Sequence, residues 1–194
     1  MKVPQFMPYV DMEEYEAIRE CFETNWITEG PKSRQFNQEL CELLGVKYGV
    51  FAPNGTLALY LALRAIGVGP GDEVIVPDFT FIASANAVEM VGARPVFADV
   101  NCEDLQLSVE ACKRVLTDKT KAIMPAHIYG FTCNMDEIMS FANENNLLVI
   151  EDAAQALGIK WRGTACGNFG DVATFSFFAD KTLTTAEGGF VCTN

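Results

Sequence analysis

The chain has 194 residues, of which 49% are hydrophobic and 21% charged, and its formal net charge is −12. These proportions are typical of a globular protein of one domain with enough apolar residues for a substantial core. The negative charge argues against nucleic acid and anionic membranes as partners, because binding either one would work against like charge.

Seven cysteines are scattered along the chain without a CxxC pair, and His127 is the single histidine. This pattern disfavours a disulfide framework or a zinc ribbon and favours the reduced thiols of the cytosol. We therefore expect no metal site. Residues 1–5 lack the apolar core of a signal peptide, and no apolar run approaches the ~18 residues of a membrane span. We expect a soluble, cytoplasmic protein.

The first 45 residues favour an extended arm followed by two helices. Two prolines disfavour helix within residues 1–10. Helical periodicity then covers residues 12–23, with Asp11 as the candidate N-cap. A second helix is predicted over 33–44, and Gly45 ends it.

From residue 46 onward, short apolar runs alternate with segments of helical periodicity. We predict seven strands, at 48–52, 73–76, 95–99, 122–125, 147–150, 172–177 and 189–192, and four helices between them, at 57–66, 81–91, 108–116 and 135–145. The aliphatic strands suit parallel pairing with both faces covered. The predicted fold class is therefore α/β, with three layers (α/β/α) and a largely parallel seven-stranded sheet. Ligands of such sheets bind beyond the carboxyl ends of the strands.

Three polar residues, Asn54, Gly55 and Thr56, precede the predicted helix at 57–66. Free backbone N–H groups, the helix dipole and a hydroxyl could together bind a phosphate there. The alternative is a simple N-cap by Asn54 or Thr56. Taken alone, the segment favours the cap, since the chain has neither a GxGxxG motif nor a Walker lysine.

Other polar and aromatic residues also follow predicted strands. Glu151 and Asp152 come directly after the strand at 147–150, where such acids either cap a helix or pair with a ligand cation; the cap is the more common role. His127 follows the strand at 122–125, and structural and active-site roles are equally open for it. Phe81 could stack on a flat ring, although core packing is the more common role.

Lys181 lies just beyond the strand at 172–177, five positions after Ser176. A lysine in a turn is usually solvated, but burial or a neighbouring charge can prepare its amine to form a Schiff base with a carbonyl. Together with a phosphate-binding helix start, an aromatic ring and Asp152, this lysine indicates one kind of ligand, a planar, cationic, phosphorylated aldehyde. That ligand is pyridoxal 5′-phosphate (PLP).

Several segments, in this order, resemble the DegT/DnrJ/EryC1/StrS family of nucleotide-sugar aminotransferases, which have the fold-type-I PLP architecture. The segments are 26–30, Asn54–Leu59, Gly69–Val74, Thr80–Phe81, His127–Gly130, Glu151–Gln155 and Ser176–Gly189.

The resemblance implies roles for individual residues. Lys181 forms the Schiff base, Asp152 pairs with the pyridine nitrogen, Phe81 stacks on the ring, and Gln155 lies near the ring hydroxyl. The phosphate is held by Thr56, the Leu57 amide and Ser176, with Gly55 beside them, and His127 is a candidate for contact with the substrate.

The resemblance also implies amino transfer in two half reactions, from glutamate to a keto nucleotide sugar, in amino-sugar and polysaccharide biosynthesis. Residues 177–189 are similar to those of enzymes that act on 4-keto-6-deoxy sugars, such as perosamine synthases. Lys181 argues against relatives that carry histidine there and perform dehydration. Two alternatives remain: a PLP-dependent lyase, and a non-catalytic interaction domain that kept the fold.

Family members continue beyond Asn194 into a smaller C-terminal domain, and they work as homodimers in which the neighbouring subunit completes each site. We therefore expect an N-terminal arm and helix (1–34) and a PLP-binding large domain (35–194), with the small domain absent. The resemblance also implies that the seventh strand is antiparallel. Ala186 stands where glycine is common, which should leave the lysine in place.

Overall fold

The computed structural model describes residues 3, 4 and 6–194, so part of the predicted N-terminal arm lies outside the described residues. The helices are α1 (Met12–Glu23), α2 (Pro31–Leu44), α3 (Gly55–Ala65), α4 (Ala83–Met90), α5 (Val109–Val115) and α6 (Met135–Asn145). The strands are β1 (Tyr48–Ala52), β2 (Glu73–Pro77), β3 (Arg94–Ala98), β4 (Thr120–Ile123), β5 (Leu148–Asp152), β6 (Lys160–Trp161), β7 (Thr164–Ala165), β8 (Val172–Ser176) and β9 (Gly189–Thr193).

Seven of the strands form one sheet in the order β1-β9-β8-β5-β4-β2-β3. Strand β9 runs antiparallel to both of its neighbours, whereas the other pairs of adjacent strands are parallel. The predicted fold class, a mostly parallel α/β sheet with an antiparallel last strand, is confirmed.

Alternation along the central strands sends side chains into cores on both faces of the sheet. In β2, Val74 and Val76 pack in one core with residues of α3 and α4. Ile75, between them, packs in another core with residues of α5 and α6. All five residues of β2 are buried, and each fully buried aliphatic side chain contributes about 1.5–3 kcal/mol. The sheet thus fixes the carboxyl ends of its strands as a rigid edge.

The element bounds differ from the sequence prediction in a few places. The β6–β7 hairpin was not predicted; its turn places Arg162 at φ +47° and Gly163 at φ +91°, as tight hairpins require. Strand β5 extends through Asp152, so both acids belong to the strand. In the described part of the chain no helix begins at Asp152, which rules out the helix cap, one of the two alternatives for these acids.

Helix α1 lies apart from these cores, since none of its residues is buried. A capping box fixes its start: Asp11 accepts a hydrogen bond from the backbone, and the Glu14 side chain accepts one from the Asp11 N–H. None of the helices in the described residues is long and apolar enough to cross a membrane.

Candidate active site

A cavity of about 370 Å³ opens where β5 and β8 end and α3 begins. That volume is within the range of small-molecule sites, about 300–1,000 Å³. The structure brings eight of the nine sequence-predicted site residues to its wall: Gly55, Thr56, Phe81, His127, Asp152, Gln155, Ser176 and Lys181. The ninth, Leu57, was predicted to contribute only its backbone amide.

The N-terminus of α3 forms one wall of the cavity. Asn54 is the N-cap, and its side-chain oxygen accepts a hydrogen bond of 3.0 Å from the Leu57 N–H. The Leu57 amide is therefore engaged by the cap, whereas among the described residues the N–H groups of Gly55 and Thr56 have no acceptor. These two free donors, at the positive end of the helix dipole, suit a phosphate.

Two glycines allow this helix start to pack against the sheet. A Cβ on Gly55 would lie 2.8 Å from the Ser176 Cβ, and a Cβ on Gly189 would lie 2.4 Å from the Asn54 carbonyl oxygen. Either substitution would push α3 away from the ends of β8 and β9. The glycines thus bring the free N–H groups next to the Ser176 hydroxyl.

Asp152 ends β5, and its side chain faces the cavity while remaining almost fully buried. One carboxylate oxygen accepts a hydrogen bond of 2.7 Å from the Ser84 hydroxyl, and the other accepts one of 3.2 Å from the Ala154 N–H. A buried carboxylate is stabilised by hydrogen bonds or by a paired cation. The two donors leave lone pairs on the Asp152 oxygens that a cationic ligand group can contact.

Glu151, one residue earlier, points to the other face of the sheet and is completely buried. Its carboxylate accepts hydrogen bonds from the backbone N–H groups of Gly167, Phe169 and Gly170 at 2.7–2.8 Å. His127 Nε2 adds a fourth contact at 3.2 Å. Burial alone would raise the pKa of Glu151, but the hydrogen bonds from His127 and the backbone outweigh it and lower that pKa.

His127 is buried, and both of its ring nitrogens are engaged within the protein. The Cys133 N–H donates to Nδ1 at 3.1 Å, which places the ring proton on Nε2 for donation to Glu151. The His127 ring lines the cavity, but both of its nitrogens already have partners. A hydrogen bond from the ring to a substrate would require one of these bonds to break. A contact of His127 with substrate stays a prediction.

Gln155 and Phe81 reach the cavity from two loops. The Gln155 carbonyl accepts a hydrogen bond of 2.9 Å from the Tyr129 N–H, which turns its amide N–H groups toward other acceptors. Phe81 is 67% exposed, so it does not take part in core packing. Tyr129 also packs against Phe79 with ring centroids 6.2 Å apart, whereas the phenylalanines that line the cavity itself are Phe81 and Phe178.

Lys181 lies in the loop that joins β8 to β9. Its side chain is 16% exposed, and Nζ lies 3.4 Å from the neighbouring Asp180 carboxylate. A hydrogen bond from the Phe177 N–H to the Gly188 carbonyl holds the ends of the loop together, and one from the Lys181 N–H to the Phe178 carbonyl closes a turn within it. The amine is therefore held at the cavity, against the expectation for a typical surface lysine.

Sequence reasoning missed Ser84 and the role of Thr80. The buried positions of α4 are Ala83, Ser84, Ala87 and Val88, so Ser84 carries the one hydroxyl on an otherwise apolar face. A buried hydroxyl needs a hydrogen-bond partner, and that signal pointed to an acceptor elsewhere in the chain. The identity of the acceptor, 68 residues away, could not be read from the sequence.

The residues at the cavity fit PLP. The free N–H groups of α3 and the Ser176 hydroxyl suit its phosphate, the Asp152 carboxylate suits a protonated ring nitrogen, and the Lys181 amine suits its aldehyde.

Comparisons with known proteins give the same class, the PLP-dependent aminotransferases. A putative sugar aminotransferase from Streptococcus pneumoniae in its PLP form superposes with a TM-score of 0.96 at 31% identity, over 100% of this chain and 53% of that one. An aminotransferase from Psychrobacter cryohalolentis gives a TM-score of 0.94 at 43% identity, over 97% of this chain and 49% of that one.

The chain belongs to the DegT/DnrJ/EryC1/StrS aminotransferase family, whose sequence profile matches residues 8–194. It is 46% identical over 193 residues to GDP-perosamine synthase from Escherichia coli O157:H7, a match that covers 99% of this chain and 53% of that protein. The chain spans about half the length of the curated relatives that it matches.

Proposed function

We propose that this chain is the cofactor-binding large domain of a PLP-dependent aminotransferase that acts on a nucleotide sugar. The observation that carries the proposal is the grouping of Lys181, Asp152 and the start of α3 around one cavity. The donor is glutamate, and the acceptor is a 4-keto-6-deoxy nucleotide sugar used in amino-sugar and polysaccharide biosynthesis. Similarity to GDP-perosamine synthase supports this acceptor.

PLP, when bound, supplies a conjugated ring that accepts the electron pair left when the substrate loses a proton. The chain supplies the remaining chemistry. The Asp152 carboxylate holds a proton on the ring nitrogen, because a negative charge beside that nitrogen favours its cationic form. The Lys181 Nζ takes the substrate proton and returns it to another carbon, acting as base and then as acid.

Other residues at the cavity position the cofactor. Gly55, Thr56 and Ser176 offer N–H and hydroxyl donors to the phosphate, and the Leu57 amide can join them if Asn54 gives it up. Phe81 covers one face of the ring and excludes water from it. Gln155 directs its amide N–H groups toward the ring hydroxyl.

The wider organisation of the protein is also part of the proposal. Residues 1–34 form an arm and helix, and residues 35–194 form the PLP-binding domain. The functional unit is a homodimer in which the neighbouring subunit completes each site. A smaller C-terminal domain helps to close the site. The seven cysteines are all free thiols, which supports a cytoplasmic location.

The first experiment tests cofactor binding by the chain itself. Purified protein is mixed with PLP, reduced with borohydride and digested, and we expect mass spectrometry to find a pyridoxyl group on the peptide that contains Lys181. Lys181→Ala should abolish the modification. Lys113→Ala, which removes an exposed lysine, should leave it unchanged. A wild-type protein without the modification would contradict the proposal.

A second experiment tests the reaction in a full-length protein that contains this chain. With glutamate and a GDP-linked 4-keto-6-deoxy sugar, we expect a product whose mass matches replacement of the keto oxygen by an amine, together with 2-oxoglutarate. Loss of a substrate group without consumption of glutamate would indicate a lyase instead. Conversion of neither substrate by a PLP-loaded protein would favour a non-catalytic role.

A further inference from the structure

Two hydroxyl groups connect Asp152 to the segment that carries Phe81. The Thr80 and Ser84 hydroxyl oxygens lie 3.0 Å apart, and the Ser84 hydroxyl lies 2.7 Å from a carboxylate oxygen of Asp152. Ser84 is fully buried, and Thr80 lines the cavity directly before Phe81. Two residues of the cavity wall, Thr80 and Asp152, are therefore linked through the buried Ser84.

The direction of these hydrogen bonds follows from the number of protons available. An ionised carboxylate only accepts, and a serine hydroxyl has one proton to give. Ser84 gives that proton to Asp152, so its oxygen is left to accept from Thr80. The chain therefore runs from Thr80 through Ser84 to Asp152, and each hydroxyl orients the next.

Ser84 does not line the cavity, so it acts on a ligand only through Asp152. With the Ala154 N–H on the other oxygen, the Ser84 hydroxyl fixes both the position and the plane of the carboxylate. Without Ser84, one oxygen would lose its protein donor in a buried place, and the carboxylate would turn to seek another.

We propose that Thr80 and Ser84 are positioning residues, which form a hydrogen-bond relay that aims the Asp152 carboxylate at the ring nitrogen of PLP. This inference rests on the proposed function. It assigns to the segment 80–84 a second task beyond presenting Phe81: the same short stretch sets the ring's position and the protonation of its nitrogen.

The test uses PLP labelled with ¹⁵N in its ring, because the ¹⁵N chemical shift reports whether the ring nitrogen is protonated. We expect the protonated signal in the wild type and a shift toward the unprotonated signal in Ser84→Ala. We also expect PLP to bind about ten-fold more weakly, the effect of losing one hydrogen bond to a charged group. Thr80→Val should change the ¹⁵N shift and the PLP affinity in the same direction as Ser84→Ala, but by a smaller amount. Thr80→Ser keeps the hydroxyl and should give wild-type values.

A double variant tests the order of the relay. If Thr80 acts only through Ser84, adding Thr80→Val to Ser84→Ala should change neither readout further. Thr117→Val is the matched control, since it also removes a hydroxyl that donates to a carboxylate, Glu73, at 2.6 Å. That variant should leave PLP binding and the ¹⁵N signal unchanged.

The outcomes separate this inference from the proposed function. If the wild type binds PLP with a protonated ring nitrogen and Ser84→Ala does so equally, the relay is wrong and the proposed function stands. If the wild type does not bind PLP, the proposed function fails and the relay fails with it. Thermal unfolding of each variant confirms folding, and Thr80→Val decides the question if Ser84→Ala does not fold.

Discussion

Glu151 and Asp152 are consecutive acids on one strand with opposite surroundings. Glu151 has four donors, from His127 and from the loop at 167–170, and is sealed in the interior. Asp152 has two donors and faces the cavity. Alternation along β5 sends them to opposite faces, so one carboxylate is used to hold loops together and its neighbour is left to meet a ligand.

The comparison predicts that neutralising Glu151 lowers stability, whereas neutralising Asp152 weakens PLP binding. Glu151→Gln keeps the shape of the side chain, but one carboxylate oxygen becomes an amide nitrogen that cannot accept. Two of the four donors, either Phe169 and Gly170 or Gly167 and His127, then lose their buried acceptor. Breaking such a buried charged network should lower the free energy of unfolding by about 3 kcal/mol.

Urea unfolding of the chain measures this loss. Glu110→Gln makes the same chemical change at a side chain that is 73% exposed, and it should change the free energy of unfolding by less than about 0.5 kcal/mol. Equal stability for Glu151→Gln and the wild type would show that the loop at 167–170 does not depend on this carboxylate.

Asp152→Asn should give the reverse pattern. The amide retains its size. Its oxygen can accept from the Ala154 N–H while its nitrogen donates to the Ser84 hydroxyl oxygen, so the free energy of unfolding should change by less than about 1 kcal/mol. PLP should bind at least ~10-fold more weakly, because the negative charge beside the ring nitrogen is gone. Asp171→Asn is the matched control: Asp171 accepts from the Val149 N–H at 2.8 Å and does not line the cavity.

Low pH should reduce the contribution of Glu151 to the free energy of unfolding. The folded-state pKa of Glu151 lies below its ordinary value of 4.5, so its contribution is complete above pH ~4.5 and is lost as the pH falls through the folded-state value. One such group changes the free energy of unfolding by at most about 1.4 kcal/mol per pH unit.

Urea unfolding between pH 6 and pH 3 (about 1.5 units on either side of the ordinary value) should therefore show a shallower pH dependence for Glu151→Gln than for the wild type. Glu73, whose pKa is lowered by its bonds with Thr117 and Arg94, keeps part of the slope in both proteins. Parallel curves would mean that Glu151 has the same pKa in the folded and unfolded chain.

The contrast between the acids also shows what a sequence can predict. Alternation and apolar runs predicted the seven strands, because burial on two faces leaves a local pattern. The motifs around Lys181 and Asp152 predicted which residues share a cavity. The division of labour between Glu151 and Asp152 could not be predicted, because it depends on partners at 127, 84 and 167–170 that only the fold brings near. The β6–β7 hairpin was missed because strands of two residues are too short for periodicity.

The smallest expected effect is at Ala186, which lies in the same loop between β8 and β9 as Lys181. Its φ is +68°, a left-handed conformation that strains a residue with a Cβ, whereas Gly167 takes φ +96° in the loop held by Glu151. Ala186 is exposed, so a substitution there changes backbone strain without changing burial. Ala186→Gly should therefore stabilise the chain by about 0.5 kcal/mol, since relief of strain slightly exceeds the added entropy of the unfolded chain.

Thermal unfolding should show a rise in Tm of about 1–2 °C for Ala186→Gly. Ala186→Val is the matched control, because a β-branched residue fits a left-handed conformation worse than alanine does, and it should lower Tm by more than glycine raises it. If both variants leave Tm unchanged, the loop around Lys181 has enough freedom to leave the left-handed conformation. Lys181 would then depend on the bound cofactor, and not on its loop, for its position at the cavity.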